Sequence, residues 1–155
     1  MELADILSED SVLVCDKVRD KAELLEILAE HAANQTGYAA PAILESIAMR
    51  ESLGSTGLGN GIAIPHGKLA GLKGVTAVFA RLGQPIDFES VDDQPVDLVF
   101  MLLAPAGAGA DHLKALARVA RLLRTDALVE ALRSTGDPGK LYGLLTAAVP
   151  SQHAA

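Results

Sequence analysis

The chain has no tryptophan, three phenylalanines and two tyrosines, so a core suited to 155 residues must be built from leucine, isoleucine, valine and alanine. One cysteine, Cys15, excludes an internal disulfide, and its place in the apolar run Ser11–Cys15 reads as a buried, inert thiol. No apolar run approaches the roughly 20 residues of a bilayer-spanning helix, so no membrane insertion is expected. The first residues, Met1–Asp5, are acidic and lack the basic stretch that opens a secretory signal, so a reducing, cytoplasmic setting is expected. Basic residues are also in the minority. A formal net charge of −7 argues against nucleic acid as a partner.

That charge is uneven: residues 1–60 carry −7, residues 61–110 carry −2 and residues 111–155 carry +2. In the last third, Lys114, Arg118, Arg121 and Arg124 recur three and four apart, which reads as one solvated helix face. What the chain does have is aliphatic residues, 14 glycines and strand-like runs, the signature of a single α/β domain.

Ser11–Cys15 reads as a first strand. Asp20 and Glu23 then offer a helix cap ahead of Leu24, Leu25, Ile27, Leu28 and Ala32 at helical spacing, and Gly37 ends that helix. Pro41 suits the first turn of a second helix, through Ile43, Leu44, Ile47 and Ala48 to about Ser52. After a glycine-rich loop, Ile62–Ile64 reads as a short strand that stops at Pro65. Residues 75–82 and 96–103 follow as two longer strands, joined too briefly for a helical crossover and so antiparallel. Three helices close the chain: one capped by Asp111 with Leu113, Leu116, Ala117, Ala120 and Leu123 on its buried stripe, one capped by Asp126, and one opened by Asp137-Pro138. The order is β-α-α-β-β-β-α-α-α, a mixed sheet layered by helices, with residues 1–149 as one domain and 150–155 as a flexible tail.

Four histidines are present. His31 falls mid-helix and reads as structural, and His153 lies in the tail with no evident role. His66 and His112 fall at element boundaries, where functional groups concentrate. His66 follows Gly54, Gly57, Gly59 and Gly61 and sits between Pro65 and Gly67. Proline cannot donate to a ladder and glycine tolerates positive φ, so the chain is expected to turn there and leave His66 exposed at a strand end.

Arg50-Glu51, Thr56, Gly61-Ile-Ala-Ile-Pro-His-Gly67, Pro95-Val-Asp-Leu-Val-Phe100 and Asp111-His-Leu113, in that order, resemble the fructose/mannitol-type enzyme IIA domains of the bacterial phosphoenolpyruvate-dependent phosphotransferase system. Pro-His-Gly-Lys-Leu69 and Pro85-Ile-Asp-Phe88, with no fused permease segment, are similar to its nitrogen-regulatory branch. Asp92-Asp93 departs from the Asp-Gly that relatives often carry, which alters a turn. The resemblance implies a phosphotransferase-system component of one-strand, two-helix, three-strand, three-helix fold. In it His66 accepts a phosphoryl group through Nε2 from an HPr-like phosphocarrier, with His112 and Arg50 as its active-site partners. Regulated targets, including potassium-transport or sensor proteins, are implied in the same way.

The chemistry is coherent with that expectation. An ordinary imidazole, with a pKa of about 6.5, is a neutral nucleophile near pH 7. Arg50 supplies a planar cationic fork for phosphoryl oxygens. Ser55, Thr56 and Gly67 would line the phosphoryl loop, and the loop glycines could add backbone donors. Each also has a plainer reading. Arg50 could be a helix-end cation, Ser55 and Thr56 could bond loop backbone, Glu51 could orient Arg50 or do nothing, and Lys68 could be a solvated lysine.

Other classes fit less well. Gly57-Leu-Gly-Asn-Gly61 precedes a strand and lacks both the Walker lysine and a full dinucleotide fingerprint, so no cofactor is expected. Two histidines without ligand spacing make no metal site, and no Gly-x-Ser-x-Gly elbow occurs. A sugar-specific IIA subunit and a phosphate-free interaction module remain as alternatives.

Overall fold

In the computed structural model, which describes residues 2–147, Asp20 opens the first helix by accepting a hydrogen bond from Glu23 N at 2.9 Å. The Glu23 carboxylate returns the bond one residue early, to Arg19 N at 2.7 Å. Helix α1 (Lys21–Thr36) ends at Gly37, whose φ of 82° and N–H to Ala33 O make a left-handed cap. Helix α2 (Ala40–Ser52) carries Pro41 in its first turn. Ile43 and Ile47 make its buried stripe, and the next position on that stripe is a carboxylate, Glu51.

Strands β1 (Val12–Cys15), β2 (Gly57–Gly59), β3 (Ile62–Ala63), β4 (His66–Leu69), β5 (Thr76–Ile86) and β6 (Val96–Pro105) form one mixed sheet in the order β1-β5-β6-β3-β2. β4 pairs with β6 beyond β3. β5 and β6 are antiparallel neighbours, as their short connection requires, while β1 runs parallel to β5. From Leu98 to Ala104 every residue of β6 is buried, because helices cover both faces. On one face Leu24, Leu28, Ile43 and Ile47 pack against Val78, Val99, Met101 and Leu103. On the other, α3 (Gly109–Leu122), α4 (Asp126–Arg133) and α5 (Pro138–Thr146) pack against Ile62, Phe79, Leu98 and Phe100. Phe79 and Phe100 meet edge to face with centroids 5.9 Å apart.

Four expectations change. The sheet has six strands where the sequence reading has four, because β2 and β4 are short. Asn60-Gly61 forms the β2–β3 hairpin turn, with φ of 57° and 80°, both positive as a type I′ turn demands. A Cβ on Gly61 would also lie 2.9 Å from Asp97 Oδ1, so both conformation and space call for glycine there.

The chain does not turn away at Pro65. Ile62 pairs with Leu98, Ala63 with Val99, His66 with Leu102 and Gly67 with Leu103, so the register with β6 passes through the proline without a slip. Pro65 lacks an N–H, but its carbonyl still accepts from Leu102 N at 3.0 Å. His66 therefore begins a strand, half-buried, and does not end one exposed.

Two helix caps move. α3 starts at Gly109 with Ala108 as cap and Asp111 in its first turn; Thr125 precedes α4, leaving Asp126 in that first turn. Asp137 does cap α5, accepting from Lys140 N at 3.0 Å. The stripe assigned to the core of α3 also shifts. His112, Ala115, Val119 and Leu123 are buried, whereas Leu113 is 69% exposed and Leu116 and Ala120 are half-buried. Residues 150–155 and His153 lie outside the described residues.

Asp93, the departure noted in the sequence, has φ 59°, a left-handed conformation that glycine adopts freely. Asp93→Gly is expected to raise stability by about 0.5–1 kcal/mol, less the added freedom of the unfolded chain. Urea denaturation checks this; a loss of stability would show that the Asp93 side chain holds the turn.

Candidate active site

Residues along β4 alternate between two faces. Ile64, His66 and Lys68 face α3, while Gly67 and Leu69 face α2. Ser46 of α2 seals the outer edge of β4, accepting from Lys68 N at 3.0 Å and donating to Lys68 O at 2.9 Å. A Cβ on Gly67 would lie 3.2 Å from Ser46 Cβ and closer still to its hydroxyl. Gly67 therefore serves the approach of α2, on the far face from the His66 ring, and does not line the groove described below.

His66 Nδ1 lies 2.8 Å from Ile64 O. A carbonyl oxygen only accepts, so Nδ1 carries the hydrogen and Nε2 keeps the lone pair. The His112 ring meets His66 edge to face, with centroids 5.3 Å apart and planes at 72°. His112 is buried in the first turn of α3, and among the described residues its own Nε2 has no hydrogen-bond partner. Burial pushes the His66 pKa below its ordinary value of 6.5, helped by the charges of Arg50 and Lys68 and opposed by the Ile64 carbonyl and Glu51. His112 is likewise lowered, by burial first and then by His66 and Lys68. Both rings are neutral at pH 7.

A groove of about 410 Å³ runs past His66. Arg50, Ser55, Thr56, Leu58 and Ile64 line it on one side, and Leu113, Leu116 and Ala117 of α3 on the other. Arg50 is in the last turn of α2 and donates from Nη1 to Gly54 O at 2.9 Å, and among the described residues its other donors are uncommitted. Ser55 Oγ accepts from Gly57 N at 3.1 Å. Leu58 and Leu113 are exposed and give the groove an apolar rim beside the imidazole. The structure thus brings together His66, His112, Arg50, Ser55 and Thr56 and sets Gly67 apart.

Glu51 does not contact Arg50. Its buried carboxylate accepts from Thr56 Oγ1 and Thr56 N and pairs with Lys21 Nζ at 2.9 Å. The Lys21 ammonium also lies 4.5 Å from the centre of the Phe88 ring. The Thr56 hydroxyl hydrogen is therefore directed at Glu51, not at the groove. Lys21, absent from the sequence reading, closes this chain of contacts. Its only sequence signal was a carboxylate on the buried stripe of α2, which requires a cation from elsewhere. Among the described residues no group of three or more His, Cys, Asp or Glu side chains could hold a metal ion, and no helix is long and apolar enough to cross a membrane.

Residues 5–148 match the family described as phosphoenolpyruvate-dependent sugar phosphotransferase system, EIIA 2. The chain belongs to this family. It is 51% identical over 145 residues to a nitrogen regulatory protein of Bradyrhizobium diazoefficiens, covering 94% of this chain and 95% of the relative. The crystal structure of nitrogen regulatory protein IIA-Ntr from Neisseria meningitidis superposes with a TM-score of 0.88 at 33% identity, covering 93% of this chain and 99% of that one. A fructose-specific EIIA component of Haloferax volcanii is 42% identical over 91 residues, 59% of each chain. The EIIA 2 family, with nitrogen-regulatory proteins among its similar members, is the assignment read from the Pro-His-Gly motif.

Two outcomes are expected for this EIIA domain. In an NMR titration His66 and His112 titrate below 6.5. The unfolded chain then binds more protons, so their contribution to stability is present above about pH 6.5 and is lost as pH falls toward the lowered folded values. Titration of His66 above 6.5 would contradict burial as the dominant influence. Lys21→Met leaves the Glu51 charge buried without its partner and is expected to cost about 3 kcal/mol in urea unfolding.

Proposed function

We propose that this EIIA domain is a nitrogen-regulatory phosphocarrier that takes a phosphoryl group on His66 Nε2 from an HPr-like phosphohistidine protein and signals by its phosphorylation state. The observation that carries this reading is the 2.8 Å hydrogen bond between His66 Nδ1 and Ile64 O. It selects the tautomer with a lone pair on Nε2, and it orients the ring beside Arg50 and His112.

The bond from phosphorus to the donor ring nitrogen breaks as the bond to Nε2 forms. The donor nitrogen keeps the electron pair, and Nδ1 keeps its hydrogen bond to Ile64 throughout. The protein's contribution is positioning and charge compensation. The free guanidinium donors of Arg50 stabilise the transferred oxygens, and His112 in the tautomer carrying Nε2–H supplies a further donor. The unpartnered state of His112 Nε2 supports this, since a buried donor without an acceptor awaits one. The apolar rim of Leu58 and Leu113 suits contact with a protein donor, which must exclude water while the phosphoryl group crosses. The regulatory role rests on the nitrogen regulatory relatives that match nearly the whole chain.

Incubation with phosphoenolpyruvate, enzyme I and an HPr-type carrier, followed by intact mass, is expected to add one phosphoryl group of about 80 Da. The product is acid-labile and is abolished by His66→Ala. Arg50→Ala is expected to slow uptake about 100-fold, and His112→Ala to slow it with the acceptor retained. A chain that stays unphosphorylated would leave a pure interaction module. Onward transfer to a permease domain and sugar would replace the regulatory reading with a sugar-specific one.

A further inference from the structure

We propose that the outer edge of β1 is a second docking surface, which takes an extended, lysine- or arginine-bearing segment of a partner protein as an added strand. Among the described residues β1 ends the sheet and is hydrogen-bonded on one side only, to β5. The edge of β4, by contrast, is sealed by Ser46. The Val-Leu-Val-Cys sequence of β1 is short but carries neither proline nor charge nor bulge to guard its edge.

A groove of about 420 Å³ lies between this edge and α1, lined by all four β1 residues and by Ile27, Glu30, His31 and Asn34. His31 Nε2, in its wall, is buried without a hydrogen-bond partner among the described residues. Backbone donors and acceptors on one wall and side-chain pockets on the other are the elements of strand addition. Val12 and Val14 pack on the α5 side and Leu13 and Cys15 on the α1 side, and among the described residues no backbone hydrogen bond from another strand reaches the outer edge of β1.

Charge decides the occupant. Glu30 lines the groove, Glu26 lies one turn earlier on α1 and Asp10 precedes β1, whereas the Asp16 carboxylate lies toward Gly83 of β5. None of the four carboxylates takes part in an ion pair among the described residues. Lys17, exposed past the end of β1, leaves this rim acidic on balance. An added strand with apolar residues toward α1 and cations toward the rim matches both features. The edge is three strand spacings, about 14 Å, from the strand that carries His66. A partner held there leaves the His66 groove open, so docking at β1 is independent of the phosphoryl state.

The test titrates the full ¹⁵N-labelled chain with a blocked peptide, Lys-Val-Lys-Val-Thr-Val-Lys. Amide shifts and exchange protection are expected at Val12–Cys15 and around His31, with Leu113 unmoved, and equally before and after phosphorylation of His66. A peptide with glutamate in place of each lysine is expected to bind at least about tenfold more weakly. Glu30→Lys is expected to weaken the lysine peptide about fivefold with phosphoryl uptake unchanged. No shift at about 1 mM peptide, equal binding of the acidic peptide, or shifts centred on the His66 groove would overturn the proposal. So would a concentration-dependent dimer that protects the same amides without peptide, since the occupant would then be a second copy of this chain.

Discussion

Backbone pairing between β6 and the interrupted strand formed by β3 and β4 holds His66 opposite Leu102, and the rest of the site follows from that register. β6 is buried on both faces, so its position is set by packing from two helical layers. Pro65 removes one donor from the ladder without releasing the strand. The interruption leaves the Ile64 carbonyl within reach of the His66 ring, two residues on. A strand that places a histidine and also supplies the carbonyl that selects its tautomer needs no separate orienting carboxylate.

A second constraint is electrostatic. Arg50 and Glu51 are adjacent at the end of α2, yet they serve opposite sides of the loop they support. Arg50 faces the groove. Glu51 faces inward and ties Thr56 to Lys21 at the start of α1. The ion pair is almost wholly buried, so removing one partner costs more than the pair contributes against a hydrophobic replacement. Its value lies in fixing where the loop meets the end of α2. Burial of the two imidazoles lowers the pKa of both and keeps them neutral at physiological pH.

Much of this was legible before any coordinates. The caps at Asp20, Gly37 and Asp137, the proline opening α2, and the continuous apolar run of β6 all follow from local chemistry, and local chemistry is what a sequence displays. The motif around His66 singled that residue out, and of the two named from the same resemblance Arg50 lines the same groove and His112 meets the His66 ring. The misreadings share one cause. Pro65-His66-Gly67 looks like a turn because proline and glycine often make one, but here Gly67 answers to the approach of Ser46 from a distant helix. The stripe of α3 carrying Leu113 and Leu116 is as apolar as the one carrying Ala115 and Val119. Only the direction in which α3 packs separates a core face from a groove wall.

The sequence by itself determined the helices, the four apolar or β-like runs, the family and the identity of the titratable groups, because caps, periodicity and motif spacing are properties of neighbouring residues. The tertiary structure alone decided which imidazole nitrogen is free, that Lys21 and not Arg50 answers Glu51, and that β1 remains an open edge. The first depends on the strand geometry around Pro65, which brings the Ile64 carbonyl to a ring two residues on, and the other two depend on residues far apart along the chain, placed by the packing of two helical layers on one sheet.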